Sequence, residues 1–434
     1  MPWRYAPVAP AAHRIPPGVL AGRKEWMEVA YVTVRAPFDT ERLDALLDDA
    51  GIDVLVATSK HNVQYFMGGY RFFFFDTLEA IGVSRYLPVF VYHKGDPQNA
   101  AYIGNQLETQ ERELGRLWAP HVTTSTWGSV DAIAEAVDHI LAIGGKRRRI
   151  GLEFAFIPHD AAEELKKRLP GCDLVDAHFA LERLRAVKQP YEIAMLREAS
   201  ERVVESMLST FAAAAPGQTK QDLVQRLRTE EASRGLGFEY CLITSGTNLN
   251  RSPSPRRLEP GDIISLDSGA NFHGYVGDLC RMGILGEPDS ELQDILAEVE
   301  EVQDHARRPV RPGTRGGEIY AAAEAVIRTC NHAPYTEFIA HGMGLIAHEA
   351  PRLTSYGPVP YEGYDQDRPL ESGMVISIET TIKHPSRGFI KLEDTVLVTG
   401  TGCEGLGNSG RGWNRAEQSS GRSVAKELPP AVPV

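Results

Sequence analysis

Residues 263–285 read IISLDSGANFHGYVGDLCRMGIL, and residues 374–398 read MVISIETTIKHPSRGFIKLEDTVLV. In each stretch two apolar runs of β-type residues flank a turn, a pattern that is typical of a buried hairpin. Each run carries one carboxylate: Asp267 and Asp278 in the first stretch, Glu379 and Glu393 in the second. Carboxylates on apolar strands destabilise a fold unless cations lie between them. The two stretches therefore predict two hairpins whose carboxylates together bind a pair of divalent cations.

The position of each turn decides which carboxylates face each other. A tight turn at residues 272–273 would place the two aspartates directly opposite one another, with their Cβ atoms within about 5.5 Å. A turn centred on Ser386 would do the same for the two glutamates. The alternative is that both pairs are solvated surface carboxylates, which the apolar flanks of each run disfavour.

A single histidine completes this set. His341 follows an apolar run and precedes two glycines in FIAHGMGL, residues 338–345. A lone histidine is more often structural than a ligand, but these glycines permit close approach of backbone or substrate, and the carboxylates supply the other ligands. We therefore predict His341 as the fifth metal ligand and His348, seven residues later, as a group that faces the substrate.

Composition and charge narrow the class of protein. The chain has 434 residues, of which 42% are hydrophobic and 24% charged, typical of a globular protein of two or three domains. A net charge of -12 disfavours nucleic acids and anionic membranes as partners. Five scattered cysteines without a CxxC pair indicate free thiols in a reducing compartment. Because the sequence has no apolar segment of signal-peptide or transmembrane length, it predicts a soluble cytoplasmic protein.

Patterns along the chain divide it into four segments. Residues 1–36 are rich in proline and alanine and are predicted to form an irregular arm. Residues 37–185 are predicted to form an α/β domain, with helices near 40–50, 129–142 and 160–168 and strands near 52–57, 87–92, 101–103, 150–152 and 174–175. Residues 186–406 carry the metal residues, and residues 407–434, which lack apolar periodicity, are predicted to be a disordered tail.

The metal-bearing segment repeats one plan. A helix over 191–215 and a second helix from Thr219 precede the first hairpin. A helix from Ser290, with Gln293 completing a capping box, and another helix over 319–327 precede the second hairpin. The repetition predicts an internal duplication with a pseudo-two-fold axis between the halves.

An aromatic run, Phe72-Phe73-Phe74-Phe75, lies between two glycines and an acidic segment. One interpretation is a buried part of the core or of a domain interface. The other is an aromatic wall that extends toward the active site or a subunit contact.

Together these residues resemble the pita-bread metallopeptidases, the family that includes methionine aminopeptidase, aminopeptidase P, prolidase and the related creatinase. The resemblance covers residues 38–405 and is carried by three motifs: D-x-G-x8-D from Asp267 to Asp278, HGxG from His341, and E-x13-E from Glu379 to Glu393. The N-terminal part resembles the creatinase-type amino domain of prolidase and aminopeptidase P. The resemblance implies an α/β creatinase-like N-terminal domain and an α+β pita-bread catalytic domain built from a duplicated helix-helix-hairpin unit.

The resemblance also implies a role for each ligand. Asp278 and Glu393 would bridge two divalent ions, Asp267 would bind one ion alone, and His341 and Glu379 would bind the other. The usual ions of the family are manganese, cobalt, zinc and iron, and manganese is our first expectation. The resemblance further implies a homodimer.

The expected catalytic residues follow from the same resemblance. A water that bridges the two ions would be the nucleophile, acting as a metal-bridging hydroxide. Glu379 would move its proton, and His348 would stabilise the oxyanion or hold the substrate.

Three positions depart from the pattern of the proline-specific members. No histidine follows Ser245-Gly246-Thr247-Asn248, because residues 249–254 read LNRSPS. Four residues before the histidine ligand, where many members have another histidine, this chain has Glu337. Two residues before the last glutamate, where many have arginine, it has Lys391. The metal ligands are complete, but the groups around the substrate are altered.

The altered surroundings leave three functions open. The first is a dinuclear metal-dependent hydrolase of the Xaa-Pro aminopeptidase or prolidase type that cleaves a short peptide or a related amide. The second is a non-peptidase hydrolase or lyase for a small molecule, which the missing histidine favours. The third is a catalytically inactive binding module, which the five ligands disfavour. For either enzyme we expect substrate contacts from His348, Lys391 and Arg251, and Arg251 offers a charge for a substrate carboxylate.

Overall fold

The structure of the protein, a computed structural model, describes residues 36–79, 82–144, 148–354 and 365–416. The irregular arm predicted for residues 1–36 lies outside the described residues except for its last residue, and so does the chain beyond Ala416. The described residues contain two large sheets, each covered by helices.

The first sheet belongs to an N-terminal α/β domain. Its helices are α1 Thr40–Ala50, α2 Lys60–Phe66, α3 Thr109–Glu113, α4 Ser129–Ala142, α5 His159–Arg168 and α6 His178–Ala186. Its strands are β1 Val54–Ala57, β2 Val89–His93, β3 Asp96–Asn105, β4 His121–Thr126, β5 Arg149–Leu152 and β6 Asp173–Asp176. They lie in the order β4-β3-β2-β1-β5-β6, with β1 parallel to β5 and antiparallel to β2. The predicted α/β domain is confirmed.

Alternating apolar residues place helices on both faces of this sheet. In β1, Val54 and Val56 pack in one core cluster with α4 and α5, while Leu55 and Ala57 pack in the other with α1 and α6. Helix α1 begins after Asp39, whose side chain accepts a hydrogen bond from the backbone N of Arg42 at 2.9 Å. The domain therefore has one apolar layer on each face of the sheet.

The second sheet belongs to the catalytic domain. Its helices are α7 Pro190–Ala212, α8 Lys220–Ser233, α9 Ser290–Arg307 and α10 Gly316–Ile327. Its strands are β7 Gly237–Ser245, β8 Ile263–Phe272, β9 Tyr275–Ile284, β10 Thr336–Gly342, β11 Val375–His384, β12 Gly388–Val398, β13 Cys403–Leu406 and β14 Asn414–Arg415. Six strands lie in the order β10-β11-β12-β9-β8-β7, while β13 pairs with β12 and β14 with β9.

The strand order confirms the predicted duplication. One half consists of α7, α8, β7 and the hairpin β8–β9, and the other consists of α9, α10, β10 and the hairpin β11–β12. The two hairpins meet at β9 and β12, so the second half has the reverse strand order of the first. A reversal of this kind is what a two-fold relation between the halves produces, and it brings both hairpins to the centre of one sheet.

Two local predictions are wrong. Helix α9 is capped by Asp289, which accepts a hydrogen bond from the backbone N of Leu292 at 3.0 Å, whereas we predicted a capping box at Ser290 and Gln293. The Gln293 side chain instead donates to the Pro288 carbonyl at 3.1 Å. Aspartate at this position can reach the free backbone N–H groups of the first turn, so Asp289 caps the helix, which begins at Ser290 as predicted.

The predicted disordered tail is also wrong as far as Ala416. Strand β14 pairs in parallel with β9, and the buried Arg281 guanidinium donates to the Gly407 carbonyl at 2.6 Å and to the Ser409 carbonyl at 2.7 Å. These carbonyls satisfy the donors of a fully buried cation, which fixes a segment that lacks apolar periodicity. Residues 417–434 lie outside the described residues.

The aromatic run serves mainly as core. Phe72 and Phe75 are buried and belong to the apolar cluster around α1 and α6, and Phe74 packs against it. Phe73 is 66% exposed, so only one ring of the run is available to a partner.

The five cysteines are free thiols, as predicted. In the described part of the chain, each helix is too short or too polar to cross a membrane.

Candidate metal centre

The five predicted ligands converge on one face of the second sheet. Asp267 lies on β8, Asp278 on β9, His341 on β10, Glu379 on β11 and Glu393 on β12. Ligand atoms of both aspartates and Glu393 lie within 4.8 Å of one another, and so do those of His341 and the two glutamates. The set that sequence reasoning selected is therefore one cluster.

The register of the second hairpin is as predicted, and that of the first is not. Glu379 pairs directly with Glu393. Asp267 instead pairs with Cys280, so the two aspartates are diagonal neighbours. Their hairpin turns at residues 273–274, one residue later than we predicted, and both turn residues have positive φ angles, 51° and 89°. Diagonal residues two positions apart still share a sheet face, which keeps both carboxylates in the cluster.

The central strands explain why four carboxylates can meet. Cys280 on β9 pairs with Asp267 on one side and with Glu393 on the other, and Glu393 pairs with Glu379. Directly paired residues lie on the same face, so this row crosses four strands in register. Cys280 is thus the residue that joins the two hairpins at the site, and sequence reasoning did not single it out.

The N-terminal domain fixes the tip of the first hairpin. The side-chain amide of Gln64 on α2 donates to the His273 carbonyl at 2.6 Å. A Cβ atom at Gly274 would collide with the same Gln64 side chain. The turn that sets the register of the aspartates is therefore held by a contact between domains.

The glycines of the two motifs have packing roles. A Cβ atom at Gly269, between the two aspartates in sequence, would overlap the ring of Tyr240. A Cβ at Gly342 would overlap the backbone of Ala350, because residues after the strand fold back on it, with the Glu349 N donating to the Gly342 carbonyl at 2.9 Å. This return brings His348 over His341, with ring centroids 3.7 Å apart and planes 14° from parallel.

The donor atoms fit a divalent metal. His341 Nε2 and Asp278 Oδ1 are buried and have no hydrogen-bond partner among the described residues. Buried polar atoms of this kind normally have partners, and a cation would satisfy both. His341 Nδ1 lies 3.2 Å from the Gly342 carbonyl, a contact that orients the ring with Nε2 toward the glutamates. Carboxylate oxygens with one imidazole suit several divalent ions.

The pKa values of two of the ligands are raised. Burial, reinforced by the charges of Glu393 and Asp267, raises the pKa of Asp278 well above its usual range. Burial opposes a charge on His341, but its interactions with Glu379 and Glu393 outweigh that effect and raise its pKa. A metal ion would therefore compete with protons for these two groups.

We expect metal affinity to fall as the pH falls. Because the pKa values of Asp278 and His341 are raised, acidification increases the protonated fraction of these groups, which competes with the ion. Apparent Mn²⁺ affinity should drop by up to about tenfold per pH unit for each displaced proton. Calorimetric titrations at pH 6 and pH 7.5, in buffers of different ionisation enthalpy, measure both the Mn²⁺ affinity and the number of protons released on binding. A pH-independent affinity without proton release would contradict this assignment.

A cavity of about 770 Å³ opens over the cluster. Its wall combines apolar side chains with the ligands, and at its edge Lys383 Nζ contacts Glu337 at 2.6 Å. His348 lines the cavity, and burial, reinforced by His341, lowers its pKa to about 4, so its ring is neutral at pH 7. Arg251 also lines it, with its guanidinium on Asp267 and 5.1 Å from the centre of the Phe389 ring.

Lys391 is buried among the predicted metal ligands and does not simply line the cavity. Its ammonium contacts Asp267 at 2.6 Å, Glu379 at 2.6 Å and Glu393 at 2.7 Å. Lys391 is 4% exposed. A cation therefore lies among the predicted metal ligands, and sequence reasoning placed it only beside them.

A buried cluster of ion pairs adjoins His348 in sequence. Glu349 contacts Arg185 at 3.1 Å and Lys188 at 2.8 Å, and all three are buried. Arg185 also donates to the Asn62 side chain of the N-terminal domain. Glu349 adjoins His348 in sequence, so this cluster links the segment after β10 to both domains.

Comparison with known proteins agrees with this architecture. The model of metallopeptidase family M24 matches residues 194–400, and that of the creatinase/prolidase N-terminal domain matches residues 40–187. The chain is 27% identical over 266 residues to an Xaa-Pro dipeptidase of Pyrococcus horikoshii, covering 60% of this chain and 73% of that one. It is 24% identical to the uncharacterized peptidase YqhT of Bacillus subtilis, covering 83% and 95%.

Solved structures show the same fold. The X-Pro aminopeptidase from Thermotoga maritima matches with a TM-score of 0.69 at 21% sequence identity, covering 87% of this chain and 99% of that one. The two matched family models thus correspond to the two domains described above, one model to each domain. The match to the catalytic domain includes all five clustered residues. The chain therefore belongs to metallopeptidase family M24 and is a metal-dependent hydrolase with a creatinase-like N-terminal domain and a pita-bread catalytic domain.

Proposed function

We propose that this protein hydrolyses short Xaa-Pro peptides in its 770 Å³ cavity with two divalent ions held by the five clustered residues. The observation that carries the proposal is the complete cluster of four carboxylates and His341, with two buried donor atoms available to a metal. The names of the M24 relatives support peptides as the substrate class.

The proposed roles of the ligands follow the family pattern. Asp278 and Glu393 would bridge the two ions, Asp267 would hold one ion, and His341 and Glu379 the other. When bound, such ions supply an activated water and polarise the carbonyl of the scissile bond. We propose manganese as the ion, and a cytoplasmic homodimer as the form of the enzyme.

Side chains around the cavity would complete the reaction. Glu379 would carry the proton from the attacking water to the departing amine. The neutral His348 ring would donate a hydrogen bond to the carbonyl oxygen as negative charge develops on it. Arg251 would bind the carboxylate of a dipeptide substrate.

A second function has a specific observation in its favour. The position that carries a histidine in proline-specific members is within residues 249–254, and here Arg251 extends from this segment to Asp267. A guanidinium at that place suits a small anionic amide that is not a peptide. The alternative is thus a small-molecule hydrolase on the same metal centre.

A substrate panel distinguishes the two functions. Protein loaded with Mn²⁺ would be assayed with Ala-Pro, Gly-Pro, a longer Xaa-Pro peptide and Ala-Ala, and the Asp278→Ala variant serves as the metal-ligand control. We expect turnover of at least one Xaa-Pro peptide, a much lower rate with Ala-Ala, and no turnover by the variant. Absence of peptide turnover by a protein with full metal content would contradict the peptidase proposal and favour the small-molecule alternative.

A further inference from the structure

The metal centre has two halves of different charge. On one side, His341 Nε2 lies 3.5 Å from Glu379 Oε1 and 3.8 Å from Glu393 Oε1. On the other side, Lys391 Nζ lies 2.6 Å from Glu379 Oε2 and 2.7 Å from Glu393 Oε2. Each glutamate thus presents one oxygen to an imidazole and the other to an ammonium. We name these regions the His341 half and the Lys391 half.

Asp267 belongs to the Lys391 half. Its Oδ2 atom lies 2.6 Å from Lys391 Nζ and also contacts the Arg251 guanidinium. An ammonium has three N–H donors, and Lys391 directs them to three carboxylates on three different strands. Two cationic side chains of the protein therefore offset most of the negative charge of this half.

In the His341 half, the contacts described above include no lysine or arginine side chain. His341 Nε2 and Asp278 Oδ1 are buried and have no hydrogen-bond partner in the described part of the chain, and ligand atoms of these two residues lie within 4.8 Å of each other. Neither residue is among the contacts of Lys391 described above. A divalent ion here would gain these two donors together with the Oε1 atoms of the glutamates.

The total charge favours one ion over two. The cluster has four carboxylates, while Lys391 and Arg251 contribute two positive charges. One divalent ion brings the sum to zero, and a second ion together with a bridging hydroxide leaves an excess of one positive charge in a buried site, which is costly. A metal bound to the Oε2 and Oδ2 atoms would lie about 2.0–2.6 Å from each, the region where Lys391 Nζ stands.

We propose that Lys391 is a resident cation that competes with a metal ion for the Asp267 position, so that the protein binds one divalent ion strongly in the His341 half and a second ion weakly. The inference rests on the assignment of the five residues as metal ligands. If Lys391 competes in this way, it must move away from Asp267 before the second ion can bind. The metal content then depends on this one side chain.

Calorimetric titration of chelator-treated protein with Mn²⁺ tests the proposal. The wild-type protein should bind one equivalent at least about tenfold more tightly than the second. In Lys391→Met, which keeps the length of the side chain without its charge, the second equivalent should bind about tenfold or more tighter, and the first should change little. Lys383→Met is the matched control, because this lysine on the same sheet contacts Glu337 instead of a ligand, and both affinities should stay the same.

Anomalous diffraction gives a second test that needs no variant. Crystals of the wild-type protein with one equivalent of Mn²⁺ should show a single peak in the His341 half. Two equally tight equivalents in the wild type, an unchanged second affinity in Lys391→Met, or a first peak beside Asp267 would overturn the proposal. These outcomes leave the ligand assignment intact, whereas a protein that binds no Mn²⁺ would overturn both the assignment and this inference.

Discussion

Replacing Glu379 by glutamine should lower kcat/KM for the best peptide of the panel by about a thousandfold or more. Glutamine preserves the shape of the side chain but accepts no proton, and loss of a general acid-base typically costs 10²- to 10⁴-fold. Glu379 also contacts both His341 and Lys391, so the change removes one charge from the metal centre. Steady-state kinetics, together with metal analysis of the same sample, measure the effect.

The control for this variant is Glu371→Gln, which removes a partly exposed ion pair with Arg42 at 2.8 Å. Its activity should stay within about twofold of the wild type, because exposed pairs contribute little. A Glu379→Gln enzyme that retains both its metal and most of its activity would show that another group moves the proton.

Replacing Glu349 by alanine should lower the free energy of unfolding by about 3–5 kcal/mol, the usual effect of removing one partner of a buried ion pair. The change would leave Arg185 and Lys188 buried without their carboxylate. Arg185 also donates to Asn62 of the N-terminal domain, so the domain contact should weaken as well. Chemical denaturation followed by circular dichroism measures the loss.

The same Glu371→Gln variant is the stability control, with an expected change of at most about 1 kcal/mol. Equal effects of the two substitutions would contradict a structural role for the Glu349 cluster. Activity of the Glu349 variant is informative too, because its neighbour His348 stacks on His341.

The second hairpin was predictable almost to the residue, and the first was not. The turn is centred on Ser386, and Glu379 and Glu393 lie at equal distances from it in sequence, so their pairing could be predicted from the residue numbers alone. In the first hairpin His273 has a positive φ, which non-glycine residues rarely adopt, and this moves the turn by one residue. The contact with Gln64 that accompanies this turn comes from another domain, 209 residues away in sequence.

Several features depended on contacts that no local pattern encodes. Strand β4, residues 121–126, was missed because HVTTST is a polar edge strand without an apolar run. The alternation of a strand places Lys391 on the face of Glu393, but its reach to Asp267 depends on a strand 124 residues away in sequence. Residues 407–416 are ordered by the donors of buried Arg281, which apolar periodicity cannot reveal.

Peptide cleavage by this protein should depend on added metal. Protein treated with a chelator and freed of it by gel filtration would be assayed with the best Xaa-Pro peptide, before and after addition of Mn²⁺. We predict no measurable cleavage without metal, recovery of cleavage on metal addition, and no recovery in the Asp278→Ala variant. Full cleavage by the metal-free protein, or equal recovery in the variant, would show that these five residues do not form the metal centre of a peptidase.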